Sequence, residues 1–141
     1  MKVLDVASTQ LRNMALTAIA IELPSTKIHT LDLSDNLYST PTCLTNALSH
    51  IANAIEHTPL VRLSMAKMSI QDAHMDTLGR AIMLNKTLRI LDLRSNQIRS
   101  SGEILIHALP NLEQVYLGGN RLWNEGTKHV TELLSRSNII A

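Results

Sequence analysis

Apolar residues recur along this chain in one repeating frame. Leu88-Arg89-Ile90-Leu91-Asp92-Leu93-Arg94-Ser95-Asn96-Gln97-Ile98 reads LxxLxLxxNxL, and Leu112-Glu113-Gln114-Val115-Tyr116-Leu117-Gly118-Gly119-Asn120-Arg121-Leu122 repeats it. Ile28, Leu31, Leu33 and Asn36 keep the frame, with Tyr38 in the last apolar place. Leu60, Leu63, Met65 and Ile70 keep it again, with Met68 where Asn belongs, and Met1, Leu4, Val6, Thr9 and Leu11 fit with Thr in that place. The units therefore start near residues 1, 28, 60, 88 and 112 of a single 1–141 domain. Self-similarity at such a period is the mark of stacked supersecondary units.

The spacing dictates local structure. Side chains alternate faces along an extended chain, so the fourth and sixth places point together into a core and the third, fifth and seventh point away. The Asn at the ninth place has a side-chain amide suited to main-chain groups that leave the strand ladder. Thr9 can do part of this and Met68 cannot, so the third turn is expected to be looser or held by another group. After each strand the apolar period becomes helical. Ile19 and Leu23, Leu78 and Ile82, and Val130 and Leu134 fall at the same two places of their units, and an i, i+4 pair shares one helix face. The second unit carries the stripe Leu44, Leu48, Ile51 and Ile55. Gly102 and Gly126 each stand just before a helix, and the short fourth unit has room only for a helix from about Glu103 to Leu109, stopped by Pro110. The predicted class is α/β: a solenoid arc of about five units, with a parallel sheet on the concave face and helices on the convex face.

Composition sharpens this picture. Leu, Ile and Val number 23, 13 and 5, Phe is absent, and the aromatics are Tyr38, Tyr116 and Trp123. An aliphatic core built from many equivalent sites fits that bias. Thirteen basic residues against twelve acidic ones give a net charge of +1, which argues against a nucleic-acid binder that works by phosphate neutralisation. No apolar run is long enough for a transmembrane helix, so no membrane role is expected. The start, Met1-Lys2-Val3-Leu4-Asp5-Val6, lacks the apolar stretch of a signal peptide, and a cytoplasmic protein is expected.

Candidate chemistry is sparse. The lone Cys43 excludes an internal disulfide and reads as a small buried thiol. His50, His57, His74, His107 and His129 fall in helices or adjoining loops and are expected to be partly exposed, while His29 lies beside the sheet face. No HExxH or CxxC spacing is present, so no metal site, cofactor or catalytic residue is assigned. Gly118-Gly119-Asn120 lacks the downstream Lys-Ser/Thr of a phosphate loop; its glycines flatten the surface where a partner backbone can approach.

The frame resembles the leucine-rich repeat family, and a unit of roughly 27–29 residues with a full helix is similar to its ribonuclease-inhibitor-like subclass. The resemblance covers essentially the whole chain. Met68, the long second unit, the short fourth and the lack of a recognisable cap at either end depart from the family pattern. The Asn/Ile/Thr-leaning, aromatic-poor composition is similar to leucine-rich repeat effectors that intracellular bacteria deliver into host cells, which adds a host cell to the expected locations. Members of this subclass commonly bind folded proteins, and the namesake blocks an enzyme. The resemblance thus implies a non-enzymatic module that grips another protein with its concave face and inhibits or regulates a partner enzyme, another effector being one candidate, while remaining a monomer by itself. The alternatives are the substrate-recognition segment of a longer enzyme and an element that self-associates through its terminal strands.

The exposed face should hold the contact residues. Asp5, Asp32 and Asp35 lie in the first two units, while Arg62, Lys67, Arg89 and Arg94 crowd the third and fourth. Such a striped field orients a partner and speeds encounter. Tyr116, Arg121 and Trp123 add the residue types most enriched at binding hot spots. The candidate partner-binding set is Asp32, Arg62, Lys67, Arg89, Asp92, Arg94, Tyr116, Arg121 and Trp123. Two of these have a competing use: Asp92 and Arg94 can pair with each other. Trp123 can instead cover the C-terminal end of the stack.

Overall fold

A computed structural model of the chain describes residues 1–36, 41–100 and 111–122, with Lys128 and Thr131; the side chains of residues 41–43 are outside that set. Among the described residues the elements alternate: β1 (Lys2–Asp5), α1 (Asn13–Glu22), a 3₁₀ turn (Leu23–Ser25), β2 (Ile28–Asp32), α2 (Pro41–His57), β3 (Arg62–Ser64), α3 (Asp72–Leu84), β4 (Ile90–Asp92) and β5 (Gln114–Tyr116). The five strands form one parallel sheet in sequence order. Its register carries Val3 onto Thr30, Arg62, Ile90 and Gln114, and Leu4 onto Leu31, Leu63, Leu91 and Val115. Equivalent places of successive units thus stand side by side.

The ladder runs past the labelled strands. The sixth residue of each unit donates its N–H to the fifth carbonyl of the next, from Val6 to Asp32 through Leu93 to Tyr116, at 2.8–3.0 Å. The eighth does the same to the seventh carbonyl, from Ser8 to Ser34 through Ser95 to Gly118. That eighth residue is left-handed in all five units: Ser8, Asp35, Lys67, Ser95 and Gly119 have φ between 54° and 74°. This turns the chain out of the strand toward the helices. Gln10 and Ser69 are also left-handed, and they are the tenth residues of the two units whose ninth residue is Thr9 or Met68 rather than Asn.

The core is aliphatic and continuous. Leu31, Leu33, Leu63, Met65, Leu91 and Leu93 from the strands meet Leu16, Leu44, Leu48, Ile51, Ile55, Met75, Leu78 and Ile82 from the helices, all buried. Ile19 is only partly buried and Leu23 has passed into the 3₁₀ turn, because Pro24 cannot supply the N–H that α1 would need to continue. In the first unit Leu4 and Val6 are likewise only partly buried, whereas their counterparts at the fourth and sixth places of the next three units are fully covered. Met68 is fully buried, and its turn is held by another group: Asn96 of the next unit accepts hydrogen bonds from the Met68 and Ile70 N–H. The helix expected near 103–109, the helical pair Val130/Leu134, and Gly102, Gly126, Tyr38 and the Cys43 side chain lie outside the described residues.

Candidate functional site

The sheet face opposite the helices carries the third, fifth, seventh and eighth places of every unit, and at the fifth place a recurring device appears. Asp5, Asp32 and Asp92 each accept the backbone N–H two residues on, from Ala7, Ser34 and Arg94, at 2.9–3.0 Å. An aspartate closing on the N–H two residues ahead is an Asx turn, which satisfies a main-chain donor at the strand end. In the third unit Ser64 takes this place, and its hydroxyl lies 2.7 Å from that of Ser34, which accepts the Ala66 N–H.

The fourth and fifth units hold the most ordered cluster. Asp92 is buried, and both its oxygens accept Arg94 Nε at 3.0 Å while Oδ2 also accepts Nη2 at 2.6 Å. The charged tip of Arg94 then lies 5.3 Å from the Tyr116 ring centroid, close enough for a cation–π contact. Tyr116 donates its hydroxyl to Gln114 Oε1, 2.9 Å away. Burial pushes the Asp92 carboxyl up, but hydrogen bonds from the Arg94 side chain and backbone, with the charges of Arg94 and Arg62, outweigh it and hold the pKa below the usual carboxylate range. The pairing raises Arg94 in turn, chiefly through its hydrogen bond to Asp92.

The other predicted contact residues are placed differently. Arg62 and Lys67 are exposed on the face of the third unit. Asp32 is half-buried one strand away. Arg89 is occupied by its own fold: Nη1 donates to the carbonyls of Lys86, Leu88 and Asn111, and Nε lies 3.8 Å from Glu113. Arg121 is exposed, and its backbone N–H bonds the Ile98 carbonyl. Trp123 lies outside the described residues. Sequence reasoning missed Gln114, although its i, i+2 spacing from Tyr116 on one strand face was the available signal.

Two other expectations change. His74 is buried rather than partly exposed; it sits in the first turn of α3, where Nδ1 accepts the Gln71 N–H at 3.0 Å. Burial lowers its pKa. Gly119 serves close packing within the protein: a Cβ there would lie 2.9 Å from Ser95 Oγ and 3.2 Å from the Ser95 backbone. Among the described residues no group of three or more His, Cys, Asp or Glu could hold a metal ion. No described helix is long and apolar enough to cross a membrane.

A family model described as a leucine rich repeat matches residues 84–104. No curated protein matches the chain significantly. Among solved structures, Leiomodin-1 Actin-Binding Site 2 is similar with a TM-score of 0.67 and 16% sequence identity, covering 96% of this chain and 80% of that one. The repeat frame, the parallel ladder with its crossover helices, and these two likenesses converge on the architecture: the chain folds as a leucine-rich-repeat α/β solenoid arc, with its sheet on the concave face.

Proposed function

We propose that the protein is a non-catalytic binding module that grips a partner protein with its concave sheet face and thereby inhibits or regulates an enzyme. One observation carries this reading: the Asp92–Arg94–Tyr116 cluster is pre-ordered on an open face, with the Arg94 side chain still 56% exposed. A guanidinium already fixed by a carboxylate and an aromatic ring loses little freedom on binding. Leiomodin-1 Actin-Binding Site 2 is named for actin binding, so actin is one candidate partner to test. The reading puts the protein in the cytoplasm, or inside a host cell if it is delivered there as a bacterial effector.

The test is affinity capture from the native cell type with wild type and Arg94→Glu/Tyr116→Ala, alongside co-sedimentation with purified actin filaments. A partner lost by the folded double variant, and rebound when purified components are mixed, supports the face as the binding site; its activity is then assayed with and without this protein. A partner retained equally by both overturns the assignment. A second reading, the recognition segment of a longer enzyme, is favoured by the apolar side chains exposed on the first unit: Met1 (85%), Val3 (62%), Met14 (87%) and Ile21 (57%). They are suited to pack against further structure.

A further inference from the structure

We infer that the third to fifth units of the concave face are built to receive an acidic segment of a protein chain, with carboxylates meeting Arg62, Lys67 and the free Nη1 of Arg94. The inference rests on the reading of that face as the partner-binding surface and adds the chemistry of what it takes.

The argument is one of which charges are already satisfied. In these units Arg94 is paired with Asp92 and Arg89 with Glu113. Arg62 and Lys67 remain exposed, and neither side chain has a hydrogen bond or ion pair among the described residues, although the Arg62 charge also acts on Asp92. Both are held on strand or ladder backbone rather than on a helix end. Arg62 is in register with Ile90 and Gln114, and the Lys67 N–H bonds the Arg94 carbonyl at 3.0 Å. Asp92 engages Nε and Nη2 of Arg94, which leaves Nη1 without a described partner and turns the guanidinium into a fixed donor beside the Tyr116 ring. Charge-assisted hydrogen bonds to such pre-positioned donors are the stronger kind.

The remaining charges select the kind of acid. Asp32 stands in register with Ser64 of the neighbouring strand, and Asp5 stands in register with Asp32. Parallel strands are spaced by about 4.8 Å. The negative half of the face therefore begins one strand away from the positive half. A nucleic-acid backbone following the arc from Arg62 would cross Thr30 and Val3 and run beside Asp32 and Asp5, two residues further along the same strands. A short acidic peptide segment, followed by neutral or basic residues over the first two units, meets both halves with the complementary sign.

The test uses a fluorescein-labelled hexaglutamate peptide as the probe, with hexalysine and a twelve-residue oligothymidylate as comparisons, read by fluorescence anisotropy at low ionic strength. Hexaglutamate is expected to bind the wild type. It should lose about tenfold in affinity for Arg62→Glu/Lys67→Glu, the scale of two exposed ion pairs turned repulsive. The loss should shrink as salt approaches physiological strength and the Debye length falls to about 8 Å. Asp32→Ala should bind it at least as well as wild type. Absence of hexaglutamate binding, equal binding by the charge-reversed variant, or oligothymidylate or hexalysine binding as tightly would overturn the inference. The captured partner separates the two readings. If it still depends on Arg94 and Tyr116 while hexaglutamate does not bind, the acidic-segment inference fails and the concave-face reading stands. If no partner depends on the face, both fail.

Discussion

At the scale of single residues, a few buried polar side chains between units matter more to stability than the exposed charges. Asn96 accepts the N–H groups of Met68 and Ile70 and donates to the carbonyls of Met65 and Leu93, all at 2.9–3.0 Å. Removing its amide strands four main-chain groups in the interior between units. An unsatisfied buried group costs roughly 1–3 kcal/mol, and partial relaxation keeps the sum below simple addition, so Asn96→Ala should lose about 4 kcal/mol. Asn120 makes three of the four corresponding contacts for the fourth unit and is only half-buried, so Asn120→Ala should lose less. Urea unfolding of both variants checks the order; equal losses would mean that the interior position adds nothing. His74 gives the second residue-scale test. Its Nδ1 is occupied as an acceptor of the Gln71 N–H, so protonation there must break that hydrogen bond at the start of α3. The folded pKa lies below the ordinary 6.5, so the unfolded state takes up the proton first. Stability is therefore fully present above 6.5 and is lost as pH falls from 6.5 toward the lowered folded value. Unfolding free energies between pH 7.5 and 5 should fall more steeply in wild type than in His74→Gln, whose amide oxygen can accept the Gln71 N–H without titrating.

At the scale of the repeating unit, the left-handed eighth residue is the common hinge between strand and helix, and only the fifth unit gives it glycine. Gly119 has φ 74°, and an added Cβ would meet the Ser95 backbone at 3.2 Å. Gly118→Ala meets nothing closer than Arg94 Cγ at 4.0 Å. Gly119→Ala should therefore cost about 2 kcal/mol while Gly118→Ala stays near neutral, measured as paired shifts in unfolding midpoint. The contrast marks what the sequence could convey. Leu31, Leu33, Leu63, Met65, Leu91 and Leu93 were readable as core because a period of two dictates burial directly, and the helix stripe from Leu44 to Ile55 was readable for the corresponding reason. Met68 left two outcomes open, because its turn depends on Asn96 from the next unit, a neighbour that stacking alone brings close. Asn85 went unread for the same reason: it is buried between units, where it bonds the carbonyls of Ile55 and Thr58, and no repeat position announces it. In the candidate site the i, i+2 spacing of Asp92 and Arg94 suggested their pairing. The occupation of Arg89 by three carbonyls depends on loop geometry that has no periodic signature.

At the scale of the whole molecule, the exposed groups fall into two unlike regions. The concave face is striped with charge, whereas the first unit exposes an apolar stripe on its helix. Met14, Ala18 and Ile21 recur at i, i+4 and i+7 on α1 and are all exposed, while Leu16, Ala20 and Leu23 at the same spacing are buried. The segment from Met14 to Leu23 thus carries two apolar stripes and uses one of them. Charge striping alone keeps copies apart or in weak register, but an apolar stripe beside an edge strand is the usual seed of association. The expectation that the protein is a monomer by itself predicts a mass of 15.6 kDa by light scattering that does not change with concentration. If the mass instead rises with concentration, Met14→Glu/Ile21→Glu should return it to the monomer value, because both side chains are exposed and the change leaves the buried stripe intact. Arg62→Glu/Lys67→Glu should leave such a mass unchanged. A mass that responds to the concave-face variant and not to the α1 variant would relocate self-association to the sheet, where it would compete with any partner for the same residues.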